Sequence, residues 1–104
     1  MENNKYVVKV SPKAVEDLDE IYKYISESLH NPDAAGKLMN KIESGIKRLN
    51  IFPFSCELTT DEILRDRGYR KLIVENYIVF YLIRNKNVLI MRVLYSAQKY
   101  DDLV

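Results

Sequence analysis

The run at residues 77–83, YIVFYLI, is apolar or aromatic at every position. A strand wetted on one face alternates apolar and polar side chains. A strand that never alternates needs cover on both faces. This run is therefore expected at the centre of a sheet, with helices on one side and a second layer on the other. Strand-like runs at 69–74 and 88–95 flank it, joined through Glu75-Asn76 and Asn85-Lys86-Asn87. Both connections have hairpin length, and asparagine tolerates the positive φ of tight turns.

The upstream half supplies the cover. Residues 5–10, KYVVKV, read as a strand that stops at Ser11-Pro12. Serine caps a helix, and proline suits its first turn, where a missing N–H costs nothing. A helix over 12–29 follows, with Ala14, Leu18, Ile21, Tyr22, Ile25 and Leu29 as an apolar stripe; Glu16, Asp17, Asp19, Glu20, Lys23 and Glu27 are assigned to its polar face. Asn31-Pro32 repeats the start signal. A second helix over 32–50 carries Ala35, Leu38, Met39, Ile42, Ile46 and Leu49. Phe52-Pro53-Phe54 is expected to end it and plug the end with rings, and 57–66 to form a loop or short helical turn. The pattern predicts an α+β fold: a helical hairpin packed on a mostly antiparallel four-stranded sheet, in the order β-α-α-β-β-β. Residues 1–104 are read as one domain, the size at which a single core suffices.

Composition excludes several classes. No apolar run approaches the roughly 20 residues that span a bilayer, and MENNKYVVKV lacks a secretory apolar stretch. The single cysteine, Cys56, rules out an internal disulfide framework. A cytoplasmic protein with no membrane association is expected. The lone His30 lies in the turn between the helices, where helix-dipole stabilisation accounts for it. No Cys/His cluster suggests a metal, and three scattered glycines build no phosphate-cradling loop. No cofactor is expected.

Charge is distributed unevenly. Residues 65–100 hold eight basic residues against Asp66 and Glu75, although the whole chain is only +1. Basic residues interleaved with strands predict a cationic surface over one side of the meander, fit for a phosphate backbone or an acidic partner. Arg92 is the sharpest candidate, because a charge between Ile90, Met91, Val93 and Leu94 must reach solvent or a partner. Its structural alternative is an arginine that snorkels to the sheet edge or pairs with a carboxylate. Alternation sends Arg70 and Lys71 to opposite faces, and likewise Arg92 and Tyr95 unless a bulge intervenes. Arg92, Tyr95 and Arg70 are the candidate catalytic residues. Arg65, Arg67, Lys71, Lys99 and Tyr100 are the candidates for binding a substrate or target.

Taken together, S-P-x-A-x-x-D-L from Ser11, N-Y-x-V-F-Y from Asn76 and R-V-L-Y from Arg92 resemble the RelE/ParE superfamily of bacterial toxins, over nearly the whole chain. The resemblance implies the toxin of a type II toxin–antitoxin pair, held by a cognate antitoxin in a hetero-oligomer. It implies one of two targets: the ribosome and its mRNA, cut in RelE-type members, or DNA gyrase, poisoned in ParE-type members. RelE-like nucleases often carry arginine after the central tyrosine, where this chain has Ile78. Many relatives end the last strand with histidine followed by arginine, where this chain has Tyr95 and Gln98. The departures favour the ParE type. The alternatives are a metal-independent, ribosome-dependent mRNA endonuclease and a non-toxic partner-binding module.

Overall fold

A computed structural model describes residues 5–98. Strand β1 (Val7–Val10) leads into helix α1 (Pro12–Lys23), which continues as a π-helical turn, Tyr24–Ser28. Helix α2 (Pro32–Arg48) runs back, and a short helix α3 (Glu62–Asp66) precedes strands β2 (Arg70–Val74), β3 (Tyr77–Arg84) and β4 (Asn87–Tyr95). The sheet order is β1-β4-β3-β2. β2–β3 and β3–β4 are antiparallel, and β1 joins β4 in parallel. The expected α+β architecture and the expected order of strands and long helices along the chain are those observed, with β3 inside the sheet. No described helix is long and apolar enough to cross a membrane.

Local chemistry sets the boundaries. The Ser11 hydroxyl accepts from the Ala14 N–H at 3.1 Å, and the Asn31 side chain accepts from the Ala34 N–H at 3.1 Å; each caps a helix that begins with proline. His30 closes the first helix in the left-handed region, with φ 53°, the position that ends many helices. In the two hairpins positive φ falls on Glu75 and Asn85, so the first turn uses glutamate where asparagine was expected.

The helical hairpin covers one face of the sheet. Ala14, Leu38, Ile42, Ile46 and Leu49 pack with Val79, Tyr81, Val88, Ile90 and Val93. The other face has its own cluster: Leu64 from α3 and Tyr69 pack on Ile78, Phe80 and Leu94. This second layer is why YIVFYLI lacks alternation. Gly45 lets α2 press onto the sheet, because a Cβ there would lie 3.0 Å from a Leu72 methyl. The loop after α2 contributes a short edge pairing, with Leu58 opposite Arg70.

Two expectations fail here. Phe52 and Phe54 do not plug the end of α2; they are 61% and 58% exposed, and Pro53 is buried between them. Pro53 is held by its carbonyl, which accepts from the buried Tyr81 hydroxyl at 2.8 Å. Asp17 does not sit on the polar face of α1. It is 7% exposed, three residues from the fully buried Ala14.

Candidate functional site

The short first strand creates the site. β1 stops pairing at Val10, opposite Ile90, so the edge of β4 beyond Ile90 lacks a strand neighbour. The start of α1 takes over that edge. The Ser11 N–H donates to the Ile90 carbonyl at 2.9 Å, and the Ser11 hydroxyl donates to the Met91 carbonyl at 2.9 Å. Six residues on, the Asp17 carboxylate accepts the Val93 N–H at 2.9 Å. A carboxylate thus stands where a strand carbonyl would otherwise be.

Arg92 completes this arrangement. β4 carries one extra residue at Met91, since Phe80 pairs with Arg92 while Tyr81 pairs with Ile90. Such a bulge re-aims the side chains beside it. Arg92 Nε lies 2.7 Å from Asp17 Oδ2, and a terminal nitrogen lies 2.9 Å from Oδ1. This is a two-pronged pair with 15% and 8% of its side chains exposed. Donating to the Asp17 carboxylate raises the Arg92 pKa and outweighs the opposing effect of burial. Of the two readings offered for Arg92, the structure shows the pairing with a carboxylate.

Beside the pair lies an open cleft of about 560 Å³. Tyr24, Tyr77 and Tyr95 line it together with Asp17, Glu20 and Arg92. The rings of Tyr77 and Tyr95 meet edge to face at 5.8 Å. Burial, and then the neighbouring Tyr95 and Tyr24, raise the Tyr77 pKa. Its phenol therefore stays protonated at neutral pH, a hydrogen-bonding group and a poor base. The acids Asp17 and Glu20 outnumber the one arginine on the cleft wall, and that arginine's planar fork is already filled. A phosphate would have to displace Asp17 to gain the same two hydrogen bonds.

The expected working surface over one side of the meander is not assembled. Of the candidates, the cleft brings together Arg92 and Tyr95. Arg70 shares a register position with Tyr81, on the helix side; it donates to the Cys56 carbonyl at 2.6 Å and lies 5.0 Å over the Phe54 ring. Lys71 is opposite Phe80, on the other face, as alternation requires. Arg65 and Arg67 are exposed at the end of α3. Lys99 and Tyr100 lie outside the described residues. Among the described residues, no group of three or more His, Cys, Asp or Glu is placed to hold a metal ion. Sequence reasoning missed Asp17, Tyr24 and Tyr77 as cleft residues. Asp17 carried a usable signal, since 14, 17, 18, 21 and 25 share helical spacing, so a carboxylate at 17 falls on the buried stripe.

Comparison with known proteins gives a consistent picture. The family described as the ParE toxin of the type II toxin–antitoxin system, parDE, matches residues 8–100. A chromosomal ParDE toxin–antitoxin system from P. aeruginosa contains a chain of the same fold, with a TM-score of 0.73 and 23% identity, covering 89% of this chain and 98% of that one. The E. coli DinJ–YafQ toxin–antitoxin complex superposes with a TM-score of 0.62 at 17% identity, covering 92% and 98%. The RelBE2 complex from Mycobacterium tuberculosis gives 0.58 at 19% identity, covering 88% and 98%. No curated protein sequence matches.

Proposed function

Since this chain belongs to the ParE toxin family of type II toxin–antitoxin systems, we propose that it arrests growth by binding a protein target, DNA gyrase, without cutting RNA. The observation that carries this reading is the state of Arg92. A metal-free ribonuclease needs a cation at the scissile phosphate and a group to move the proton of the 2′-hydroxyl. Here the cleft's arginine is committed to Asp17. The position that follows the central tyrosine, Ile78, lies in the second core cluster. Tyr77, whose pKa is raised, stays protonated in the cleft at neutral pH. On this reading Arg92 holds the edge of β4 in place. Tyr95, 47% exposed, and Tyr24, 56% exposed, are cleft residues open to a partner, and Arg65, Arg67, Arg70 and Lys71 serve binding outside it.

The partner in the cell is a cognate antitoxin. Support comes from the neighbours of like fold, solved as toxin–antitoxin complexes. Expression of the chain alone is expected to stop growth, and co-expression of the antitoxin gene beside it to restore growth. An SOS response with intact mRNA is the expected signature. In-frame cuts in translated mRNA, mapped by primer extension, would replace this reading with the RelE type. Normal growth at high soluble expression would leave a non-toxic binding module.

A further inference from the structure

The basic residues do gather, but at one end of the sheet and not over a face. β1, β2 and β4 begin at this end and β3 finishes there, because β1 runs parallel to β4. Lys86, in the β3–β4 turn, holds its ammonium 4.6 Å from the centre of the Tyr6 ring. Tyr6 meets Phe54 edge to face at 6.3 Å, and Arg70 lies over Phe54 at 5.0 Å. The result is a stripe of cation, ring, ring, cation drawn from four separate segments. Arg84 extends it by donating to the Arg67 carbonyl at 3.0 Å. The acids on these same segments are Glu57, Asp61, Glu62 and Asp66.

The stripe carries protruding apolar side chains. Ile51, Phe52 and Phe54 are 54%, 61% and 58% exposed. Their loop is braced: Tyr6 N–H donates to the Asn50 carbonyl at 2.7 Å, Tyr81 to that of Pro53, and the Ser55 hydroxyl to that of Phe52 at 2.7 Å. Exposed rings on a fixed base have already met the ordering cost that an interface imposes. Aromatic and arginine side chains are also the usual anchors of protein interfaces.

We infer that this end of the sheet is the surface that engages the toxin's target, and that the target is a folded protein presenting carboxylates around an apolar pocket. The inference rests on the toxin reading above. The rings project as knobs, and neither the tyrosine cleft nor the groove between α2 and β2 includes them. Knobs fit a pocket in a folded partner. A segment that orders on binding would instead need a groove. Ile51 and Leu58, 40% exposed, have no π-face on which a base would stack. The chain's net charge of +1 is also small for a strand of phosphates.

The test compares the wild-type chain, the double variant Phe52→Ser/Lys86→Glu, and Lys37→Glu on the exposed side of α2 as a charge control. Each is induced alone and scored for growth arrest, co-purified with the antitoxin encoded beside it, and mixed with a labelled single-stranded RNA oligonucleotide. The double variant should need about 100-fold more protein to arrest growth, the scale of two lost interface anchors. It should still capture the antitoxin, and Lys37→Glu should arrest growth like wild type. Undiminished arrest by the double variant would overturn the inference. So would loss of antitoxin capture by a variant that melts normally, which would give the surface to the antitoxin. RNA binding by wild type that the double variant loses would give it to a nucleic acid. If the wild-type chain itself does not arrest growth, the toxin reading falls and takes this surface with it.

Discussion

The two ends of the sheet use charge in opposite ways. At the cleft end, Asp17 and Arg92 are nearly buried, bonded through both oxygens of the carboxylate, and joined to a backbone N–H. At the other end, Lys86 and Arg70 lie over the rings of Tyr6 and Phe54 beside side chains more than half exposed. The first arrangement closes an edge that β1 is too short to cover. The second leaves charge and apolar area where a partner can reach them. A charge embedded in an apolar strand marks a functional site only when its partner lies outside the chain. Arg92 has its partner inside.

This contrast predicts that substitutions at the cleft end act first on stability. Asp17→Ala should have the largest effect. It strands a buried guanidinium and removes the acceptor of the Val93 N–H. Breaking one side of a buried pair costs about 3–5 kcal/mol, and in a domain of this size each kcal/mol lowers Tm by roughly 4–8 °C. Urea unfolding that shows less than about 1 kcal/mol of loss, within the range of an exposed ion pair, would mean that the pair is ornamental. Arg92→Ala should cost less, about 1.5–3 kcal/mol, the range for hydrogen bonds to a charged group, because Asp17 keeps the Val93 N–H and gains access to water. The order of the two variants is the sharper check. Arg92→Ala as the more damaging would put the arginine, and not the carboxylate, at the centre of the edge closure.

What the sequence revealed follows the same division. The α2 stripe and the YIVFYLI run were legible because burial of apolar side chains has a period, and every residue of the α2 stripe packs into or against the core. Asp17 was misassigned because an acid is placed outside by default. Only the length of β1 shows that a backbone N–H waits there for an acceptor. The extra residue at Met91 left no trace in VLIMRVLY, where every residue but Arg92 is apolar or aromatic and no alternation marks the slip. Phe52 and Phe54 were sent inward by the same default that mistook Asp17. The basic stripe was invisible for another reason. Tyr6, Phe54, Arg70 and Lys86 are far apart in sequence, and the parallel entry of β1 brings them together.

Alkaline pH probes two phenols, one in the core and one in the cleft wall. Burial raises the pKa of Tyr81 above the ordinary 10, and burial beside Tyr95 and Tyr24 raises that of Tyr77. A phenol held neutral in the fold but ionised in the unfolded chain adds stability that is complete below pH 10. That stability is lost as the pH climbs from 10 toward the folded pKa, at about 1.4 kcal/mol per pH unit for each such group. Stability should therefore fall above pH 10. Tyr81→Phe should lose about 1 kcal/mol at neutral pH with the bond to Pro53, yet show a shallower alkaline fall. An unchanged slope would mean that Tyr81 ionises freely in the native state.

The smallest stability effect is expected where the functional effect is expected to be largest. Lys86→Glu lies in an exposed turn, and its ammonium meets one ring in water. A cation–π contact at such a site is worth about 0.5–1 kcal/mol. The Tm of this variant should therefore drop by only a few degrees, while Asp17→Ala drops several times as far. Measured by thermal unfolding on the same scale, the two variants test whether the ends differ in kind. If Lys86→Glu unfolds as readily as Asp17→Ala, the ring stripe is a structural clasp, Tyr6 and Phe54 depend on it for their placement, and both ends of the sheet serve the fold.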